Sequence, residues 1–197
     1  MSARDRILSR VREAVASRAT LPHPGPFGAW RPDPVEESSV EGFVRLFRLA
    51  GGEAHLVDDE QEASEWMLRF ADGFESITIG RGVPASLHPD LPVTEASAAA
   101  LGVSFARGAV AESGSLLLDA RDGRRSQLLA PVHVVILRAD TVSGTVREAL
   151  TSLRHDLPSA IAMHSGPSKS ADIGQVMVRG VHGPGRVIAL VVGASEG

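Results

Sequence analysis

EAHLVDDEQEASEWMLRFADGFESITIG, residues 53–80, is the stretch from which the fold class of this chain can be predicted. Its first five residues (53–57) are typical of a short strand, the acidic-led segment 59–71 is typical of a helix, and residues 75–80 are typical of a second strand. Two strands of one sheet that are joined through a helix usually run parallel. The stretch therefore predicts a βαβ unit and a parallel sheet.

The flanking segments continue this alternation of helices and strands. Residues 35–51, VEESSVEGFVRLFRLAG, predict a helix that ends at Gly51-Gly52, and RVIALVVG (186–193) predicts a last strand. Between them, residues 102–140 contain strand-like pieces joined by turn signals at Gly114 and Asp122-Gly123, which predict an antiparallel insertion or hairpin. The whole pattern predicts an open α/β sheet with helices packed on it.

The N-terminal segment differs from the rest of the chain. Apolar residues at helical spacing predict an amphipathic helix over residues 3–18 with Ser2 as its N-cap, and the proline-rich LPHPGPFGAWRPDP (21–34) predicts an extended connector. We therefore expect an N-terminal helix and connector over residues 1–35 and a single α/β domain over 36–197. The helical arm can dock on its own subunit, or it can join neighbouring subunits into a homo-oligomer.

Composition excludes several classes of partner and site. A net charge of -4 with 4% aromatic residues argues against a nucleic-acid partner. The chain has no cysteine, so it offers no disulfide and no cysteine ligand for a metal or an iron–sulfur cluster. The N-terminus does not resemble a secretory signal, and apolar runs such as VHVVILRA (132–139) are shorter than the roughly 20 residues that span a bilayer. We expect a soluble cytoplasmic protein without membrane insertion.

HSGPSKSADI (164–173) is a candidate anion-binding segment. It follows a predicted strand and precedes a helix predicted from about Ala171 to Val178, a position where open α/β sheets often bind ligands. Gly166 permits a close backbone approach, Ser168 or Ser170 can cap the helix, and the free amides of its first turn, with Lys169, can hold an anion. The alternative is an ordinary helix cap with its lysine in solvent.

A second candidate is RGAVAESGSLLLDARDGRRS (107–126). Glu112 precedes a hydroxyl-rich turn, Ser113-Gly114-Ser115. A carboxylate there can act as a general base, as a nucleophile or as a hydrogen-bond acceptor for a ligand. The alternative is a β-turn with an exposed Glu112. The nearby Arg121, Arg124 and Arg125 are more typical of a solvated hairpin tip than of an anion clamp.

A third candidate is RGVHGPGR (179–186), in which glycines surround His182. Such a loop can approach a ligand closely, and the imidazole can donate to a phosphate or carboxylate. The alternative is a structural or solvated histidine. Because His164 and His182 lack a recognised metal-ligand spacing, we expect no metal site.

Together these segments resemble the signature of the LUD-domain family, in particular its lactate-utilization protein C subfamily, over about residues 104–192. Residues 112–115 match the family's Glu-Thr-Gly-Thr turn with serine in place of both threonines, and residues 180–184 match its Gly-Val-His-Gly-Pro loop. Residues 165–173 match its Ser-Gly-Pro-Ser-Lys-Thr-Ala-Asp-Ile run, with Ser170 in place of threonine. Gly174 stands where glutamate is common.

The resemblance implies a fold of the phosphosugar-isomerase and coenzyme A transferase group (NagB/RpiA/CoA transferase-like), with a Rossmann-like core. It also implies a role with two partner proteins, one carrying iron–sulfur clusters and one cysteine-rich, in the oxidation of L-lactate to pyruvate. The iron–sulfur cluster is then expected only in the partner subunits, and no cofactor is expected on this chain.

Three functions remain open. The first is an accessory or binding subunit of such a system, holding a small carboxylate or phosphate ligand. The second is a stand-alone isomerase, transferase or cyclo-ligase with Glu112 as its catalytic residue, and the third is a purely structural role for all three loops. The predicted ligand-binding residues are Ser113, Gly114, Ser115, Ser165, Gly166, Ser168, Lys169, Ser170, His182 and Gly183.

Overall fold

The computed structural model describes residues 2–16, 40–171 and 177–194 of the chain. Two compact units are present, Met1–Pro34 and Val35–Gly197. In the first, helix α1 (Ala3–Ala16) lies within the range predicted from the sequence. The hydroxyl of Ser2 accepts a hydrogen bond from the amide of Asp5 at 3.2 Å, which confirms Ser2 as the N-cap. The predicted proline-rich connector lies outside the described residues, and the use of α1 as an oligomerisation arm stays a prediction.

The described part of the second unit contains further helices and two main sheets. The helices are α2 (Val40–Leu49), α3 (Glu60–Ala71), α4 (Ala120–Leu128) and α5 (Val146–Ser152). The strands are β1 (Glu53–Val57), β2 (Ile77–Ile79), β3 (Leu101–Phe105), β4 (Gly108–Val110), β5 (Ser115–Asp119), β6 (Val132–Arg138), β7 (Val142–Ser143), β8 (Ile161–His164), β9 (Lys169–Ala171), β10 (Met177–Arg179) and β11 (Arg186–Val192). No described helix has the length and apolar character needed to cross a membrane.

The central sheet is parallel throughout, with the strand order β1-β11-β6-β3-β2. Its middle strands are covered on both faces, which explains why β6 and β11 are almost continuously apolar. This arrangement confirms the α/β class with a mostly parallel sheet. The predicted βαβ unit is present, but its two strands occupy opposite edges of the sheet.

The core lies on both faces of this sheet. On one face, Phe43 and Phe47 of α2 stack with ring centroids 5.3 Å apart and are fully buried against the sheet. On the other face, Ala63 and Met67 of α3 pack on Ile77 and its neighbours. Each of the two helices therefore places its apolar stripe on one face of the sheet.

The segment predicted as an antiparallel insertion is divided between two sheets: β3 and β6 belong to the central parallel sheet, and β4 and β5 belong to a second sheet, in the order β7-β4-β5-β8. Strands β4 and β5 pair antiparallel, as expected, and β5 also pairs antiparallel with β8. The turn predicted at Asp122-Gly123 is wrong, because these residues lie within α4. Asp119 caps this helix by accepting from the amide of Arg121 at 2.7 Å, and Gly123 (φ 120°) forms a kink inside it. The three arginines consequently lie on a helix instead of a hairpin tip.

The prediction of a helix from Ala171 to Val178 is also wrong. Both ends of the predicted segment lie in strands, Ala171 in β9 and Val178 in β10. Strands β9 and β10 pair antiparallel, with Ser170 opposite Val178. Serine and aspartate favour turns as well as helix starts, so their presence could not distinguish the two structures. Residues 172–176 lie outside the described residues. Ser168 and Ser170 therefore do not cap a helix that begins at Ala171.

Candidate functional site

The Glu112 turn connects β4 to β5 and packs on α2. Residues Ala111–Ser113 form a 3₁₀ turn that closes at Gly114, whose backbone is left-handed (φ 57°). A Cβ at this position would lie 2.5 Å from the backbone nitrogen of Phe47. Glycine is thus required both for the backbone conformation and for the close approach to the helix.

The carboxylate of Glu112 contacts the beginning of α5. Its Oε1 accepts a hydrogen bond from the amide of Val146, the first residue of the helix, at 2.7 Å. The backbone amide of Glu112 donates to the carbonyl of Gly144 at 3.0 Å. These contacts attach the turn to the start of α5, and they give the carboxylate a structural partner that the sequence did not indicate. Its catalytic role stays a prediction.

A chain of serine hydroxyls joins the Glu112 turn to the segment that follows β8. Ser115 Oγ lies 2.9 Å from Ser113 Oγ and 2.6 Å from Ser165 Oγ. Ser115 is almost completely buried, with 2% of its surface exposed. Two motifs that are distant in the sequence are therefore in direct contact.

The loops that contain Ser168 and His182 line one cleft of about 420 Å³, here called the His182 cleft. The loops are held together because the amide of Ser168 donates to Pro184 O at 2.9 Å and the amide of Gly180 donates to Ser168 O at 3.0 Å. Six predicted ligand-binding residues line the cleft: Ser165, Gly166, Ser168, Lys169, His182 and Gly183. Its volume is within the range usual for small-molecule sites.

The other predicted site residues do not line the His182 cleft; these are Glu112, Ser113, Gly114, Ser115 and Ser170. The lining includes residues that the sequence did not single out for a ligand site, namely Leu128, Met163, His164, Pro167, Pro184 and Val187. Of these, His164 supplies a further polar group. The predicted site is therefore divided between the His182 cleft, the Glu112 turn and strand β9, which contains Ser170.

Lys169 contacts the end of α2. Its ammonium group donates to the carbonyl of Ala50, directly after the last residue of the helix. A cation at this place complements the partial negative charge of a helix C-terminus. Gly166 (φ 104°) approaches the same carbonyl, since a Cβ there would lie 3.1 Å from Ala50 O. Lys169 thus attaches this loop to the helix, a role that differs from the predicted anion contact.

The rings of His133 and His164 lie close together, and His164 lines the His182 cleft. His133 of β6 is fully buried, and its Nε2 lies 2.9 Å from Ser104 Oγ. Burial, with a smaller contribution from His164, lowers the pKa of His133 to about 3. Burial also lowers the pKa of His164, whose ring lies edge-on to that of His133 at 6.4 Å. Both rings are consequently neutral at pH 7.

The His182 cleft lies at the amino edge of the central sheet. Strands β6 and β11 begin here, and Gly185 N donates to Pro131 O at 2.9 Å just before them. Strand β8, which precedes the loop, belongs to the second sheet. The expectation that this loop follows a strand of the parallel sheet was therefore wrong, because sequence periodicity does not reveal which sheet a strand joins. Among the described residues, no cluster of three or more potential metal ligands is present.

At the carboxyl edge of the same sheet, an ionic network surrounds the start of α4. The guanidinium group of Arg121 forms ion pairs with the carboxylates of Asp119 and Asp156, each with a nitrogen–oxygen distance of 2.8 Å. Arg107 forms a third ion pair with Asp156, also at 2.8 Å. Hydrogen bonds from Arg121 and then from Arg107 lower the pKa of Asp156. The interpretation of Arg121 as part of a solvated hairpin tip is thus replaced by an ordered network.

Comparison with known proteins places the chain in a family. The LUD domain model matches residues 93–192, just over half of the chain. Lactate utilization protein C 1 of Bacillus mycoides is 38% identical over 106 residues, which cover 49% of this chain and 45% of that protein. Lactate utilization protein C of Deinococcus radiodurans is 35% identical over 128 residues, covering 59% and 57%, and that of Geobacillus kaustophilus is 29% identical over 175 residues, covering 81% and 72%.

The chain spans about half the length of the first two relatives. Among solved structures, a DUF162 family protein from Deinococcus radiodurans superposes with a TM-score of 0.61 at 21% identity, covering 78% of this chain and 95% of that one. This similarity concerns the fold alone. The match over residues 93–192 includes all three candidate segments, and the chain belongs to the LUD domain family.

Proposed function

We propose that this chain is an accessory or binding subunit of an L-lactate oxidation system and that its His182 cleft holds a small carboxylate or phosphate. The role is supported by relatives that are named lactate utilization protein C. The observation that carries the ligand site is the meeting of two separate loops, around Ser168 and His182, in one cleft. A purely structural function would not need polar groups from both loops to face the same space.

The cleft recognises its ligand with side-chain hydroxyl groups and ring nitrogens. Ser165, Ser168 and His182 supply hydroxyl and imidazole groups, and His164 is neutral because burial lowers its pKa. Such groups orient a carboxylate or phosphate by directed hydrogen bonds. The buried hydroxyl of Ser115 fixes that of Ser165, so the donor is preorganised before the ligand arrives.

In this proposal, partner proteins carry out the electron transfer of L-lactate oxidation. The chain contains no cysteine, so a cysteine-ligated iron–sulfur cluster has to be held by another subunit. The resemblance to the lactate-utilization protein C subfamily implies two such partners, an iron–sulfur protein and a cysteine-rich protein. A stand-alone isomerase or transferase based on Glu112 is less well supported, because this carboxylate contacts Val146 and does not line the cleft.

A growth experiment tests the role in lactate oxidation. A strain that lacks this gene is expected to lose growth on L-lactate as sole carbon source and to regain it with the wild-type gene. The His182→Ala variant should fail to restore growth, whereas His155→Ala, which removes another exposed histidine outside the cleft, should restore it. Normal growth of the deletion strain on L-lactate would contradict the proposal.

Ligand binding is tested separately with purified protein. L-lactate, pyruvate and phosphate are titrated while the melting temperature is followed, because ligands that bind the native state stabilise it. We expect at least one of them to raise the melting temperature of the wild type and of His155→Ala, but not that of His182→Ala. If the ligands raise the melting temperatures of all three proteins equally, the proposal that the His182 cleft binds them is contradicted.

A further inference from the structure

Two adjoining clefts lie at the opposite edge of the central sheet from the His182 cleft. The Arg107 cleft, of about 490 Å³, is lined by residues that follow the carboxyl ends of β2 and β3. The Thr94 cleft, of about 420 Å³, lies beside it. Arg81 and Asp122 line both of them. Open α/β sheets generally bind ligands at the carboxyl ends of their strands, so this position is favourable for a site.

Asp122 presents an unpartnered oxygen between the two clefts. The residue is only 6% exposed, and its Oδ1 accepts from the amide of Gly82 at 2.7 Å. Its Oδ2 is buried and has no hydrogen-bond partner among the described residues. The backbone at Gly80 packs directly on the carboxylate, because a Cβ there would lie 2.2 Å from Oδ2. Buried carboxylate oxygens are nearly always hydrogen-bonded in native proteins, so Oδ2 is an acceptor without its usual partner.

Thr94 supplies a second group of the same kind. Its hydroxyl oxygen is buried in the described structure without a hydrogen-bond partner, and the residue lines the Thr94 cleft. Since buried polar atoms are nearly always hydrogen-bonded in native proteins, two such atoms around one cleft indicate a missing polar partner. A ligand with hydroxyl groups could satisfy both.

The clefts also concentrate positive charge. Five arginines and three acidic residues line them, although the chain as a whole carries a net charge of -4. Arg107 and Arg121 are engaged with aspartates, and Arg125 lies 3.6 Å from Glu95. Within the described part of the chain, Arg81 and Arg124 form no ion pair, so their charges are available to an anion.

We propose that the two clefts together form a binding site for a small organic anion that carries hydroxyl groups. Arg81 and Arg124 bind the anionic group, Asp122 Oδ2 accepts a hydrogen bond from a hydroxyl group, and Thr94 bonds to a second polar atom of the ligand. A hydroxycarboxylate and a phosphorylated polyol share this chemistry. The site is independent of the ligand proposed for the His182 cleft.

NMR titration of the ¹⁵N-labelled full chain tests the proposal, with the amide resonance of Gly82 as reporter because this amide bonds to Asp122. The probes are L-lactate with propanoate as its counterpart without a hydroxyl, and glycerol 3-phosphate with inorganic phosphate as its counterpart. We expect a saturable shift with at least one hydroxylated probe and at least tenfold weaker binding of its counterpart. A response to L-lactate alone identifies a carboxylate ligand, and a response to glycerol 3-phosphate alone identifies a phosphate.

Three variants distinguish specific binding at this site from nonspecific attraction of anions to positive charge. Asp122→Asn retains an oxygen that can accept from Gly82, and it should weaken binding at least tenfold, as should Arg81→Gln. Arg69→Gln removes an exposed arginine elsewhere and should leave binding unchanged. The proposal is overturned if neither hydroxylated probe shifts Gly82 saturably, if the counterparts bind equally well, or if folded Asp122→Asn and Arg81→Gln bind like the wild type.

Discussion

Ser115 Oγ lies 2.6 Å from Ser165 Oγ, although the two residues are 50 positions apart in the chain. The first follows the Glu112 turn, and the second belongs to the loop that lines the His182 cleft. Ser115 is buried whereas Ser165 is exposed, so this contact connects the Glu112 turn to the surface of the cleft.

Ser115→Ala is expected to lower the free energy of unfolding by about 1–3 kcal/mol, since the change removes a buried hydroxyl and its hydrogen bonds. Urea denaturation measures this difference. Ser97→Ala, which truncates an exposed serine, serves as the matched control and should change stability by less than about 0.5 kcal/mol. Equal stability of the two variants would show that the hydroxyl chain contributes nothing.

Glu112→Ala is expected to destabilise the fold by about 1–2 kcal/mol, because the amide of Val146 at the start of α5 loses its acceptor. Glu112→Gln retains an oxygen at this position and should cost less than half as much. Thermal unfolding of both variants measures the difference. If Gln is as destabilising as Ala, the negative charge matters more than the hydrogen bond.

Phe47→Ala is expected to lower the unfolding free energy by about 3–5 kcal/mol, since it opens a cavity in the core beneath α2. Leu49→Ala on the same helix is the control, because Leu49 is 73% exposed. Guanidinium denaturation should separate the two variants clearly. A small effect at Phe47 would contradict the packing of α2 on the central sheet.

His133 should make stability dependent on pH in the acid range. Its pKa is about 3 in the folded protein and about 6.5 when it is solvated, so below pH 6.5 the unfolded chain binds a proton that the native state does not. Stability due to this residue is fully present above about pH 6.5 and is lost progressively as the pH falls toward 3. The loss per pH unit approaches about 1.4 kcal/mol for one proton.

The His133→Asn variant lacks this titration, so its stability should fall less steeply between pH 6.5 and pH 4 than that of the wild type. Urea denaturation at several pH values gives both slopes. Ser97→Ala is the control, since it truncates an exposed side chain and changes no titratable group, and it should retain the wild-type slope. Parallel profiles for the wild type and His133→Asn would show that His133 is not held neutral by burial.

Much of the local structure could be predicted from the sequence. Residues 53–80 form β1, α3 and β2 as expected, and Gly114 occupies the predicted turn. These features depend on neighbouring residues: the spacing of apolar side chains, a capping residue and a glycine with positive φ. By contrast, Ser168 and Ser170 suit both a helix start and a turn, and the pairing of β9 with β10 is what distinguishes the two structures.

The sequence by itself determined the α/β class, the parallel character of the main sheet and the segments that line the His182 cleft. Only the tertiary structure decided that β1 and β2 lie at opposite edges, that β8 joins the second sheet, and that Asp122 lies between two clefts at the carboxyl edge. The physical reason is that a periodic pattern records which side chains are buried, whereas strand pairing and side-chain contacts depend on residues far apart in the chain.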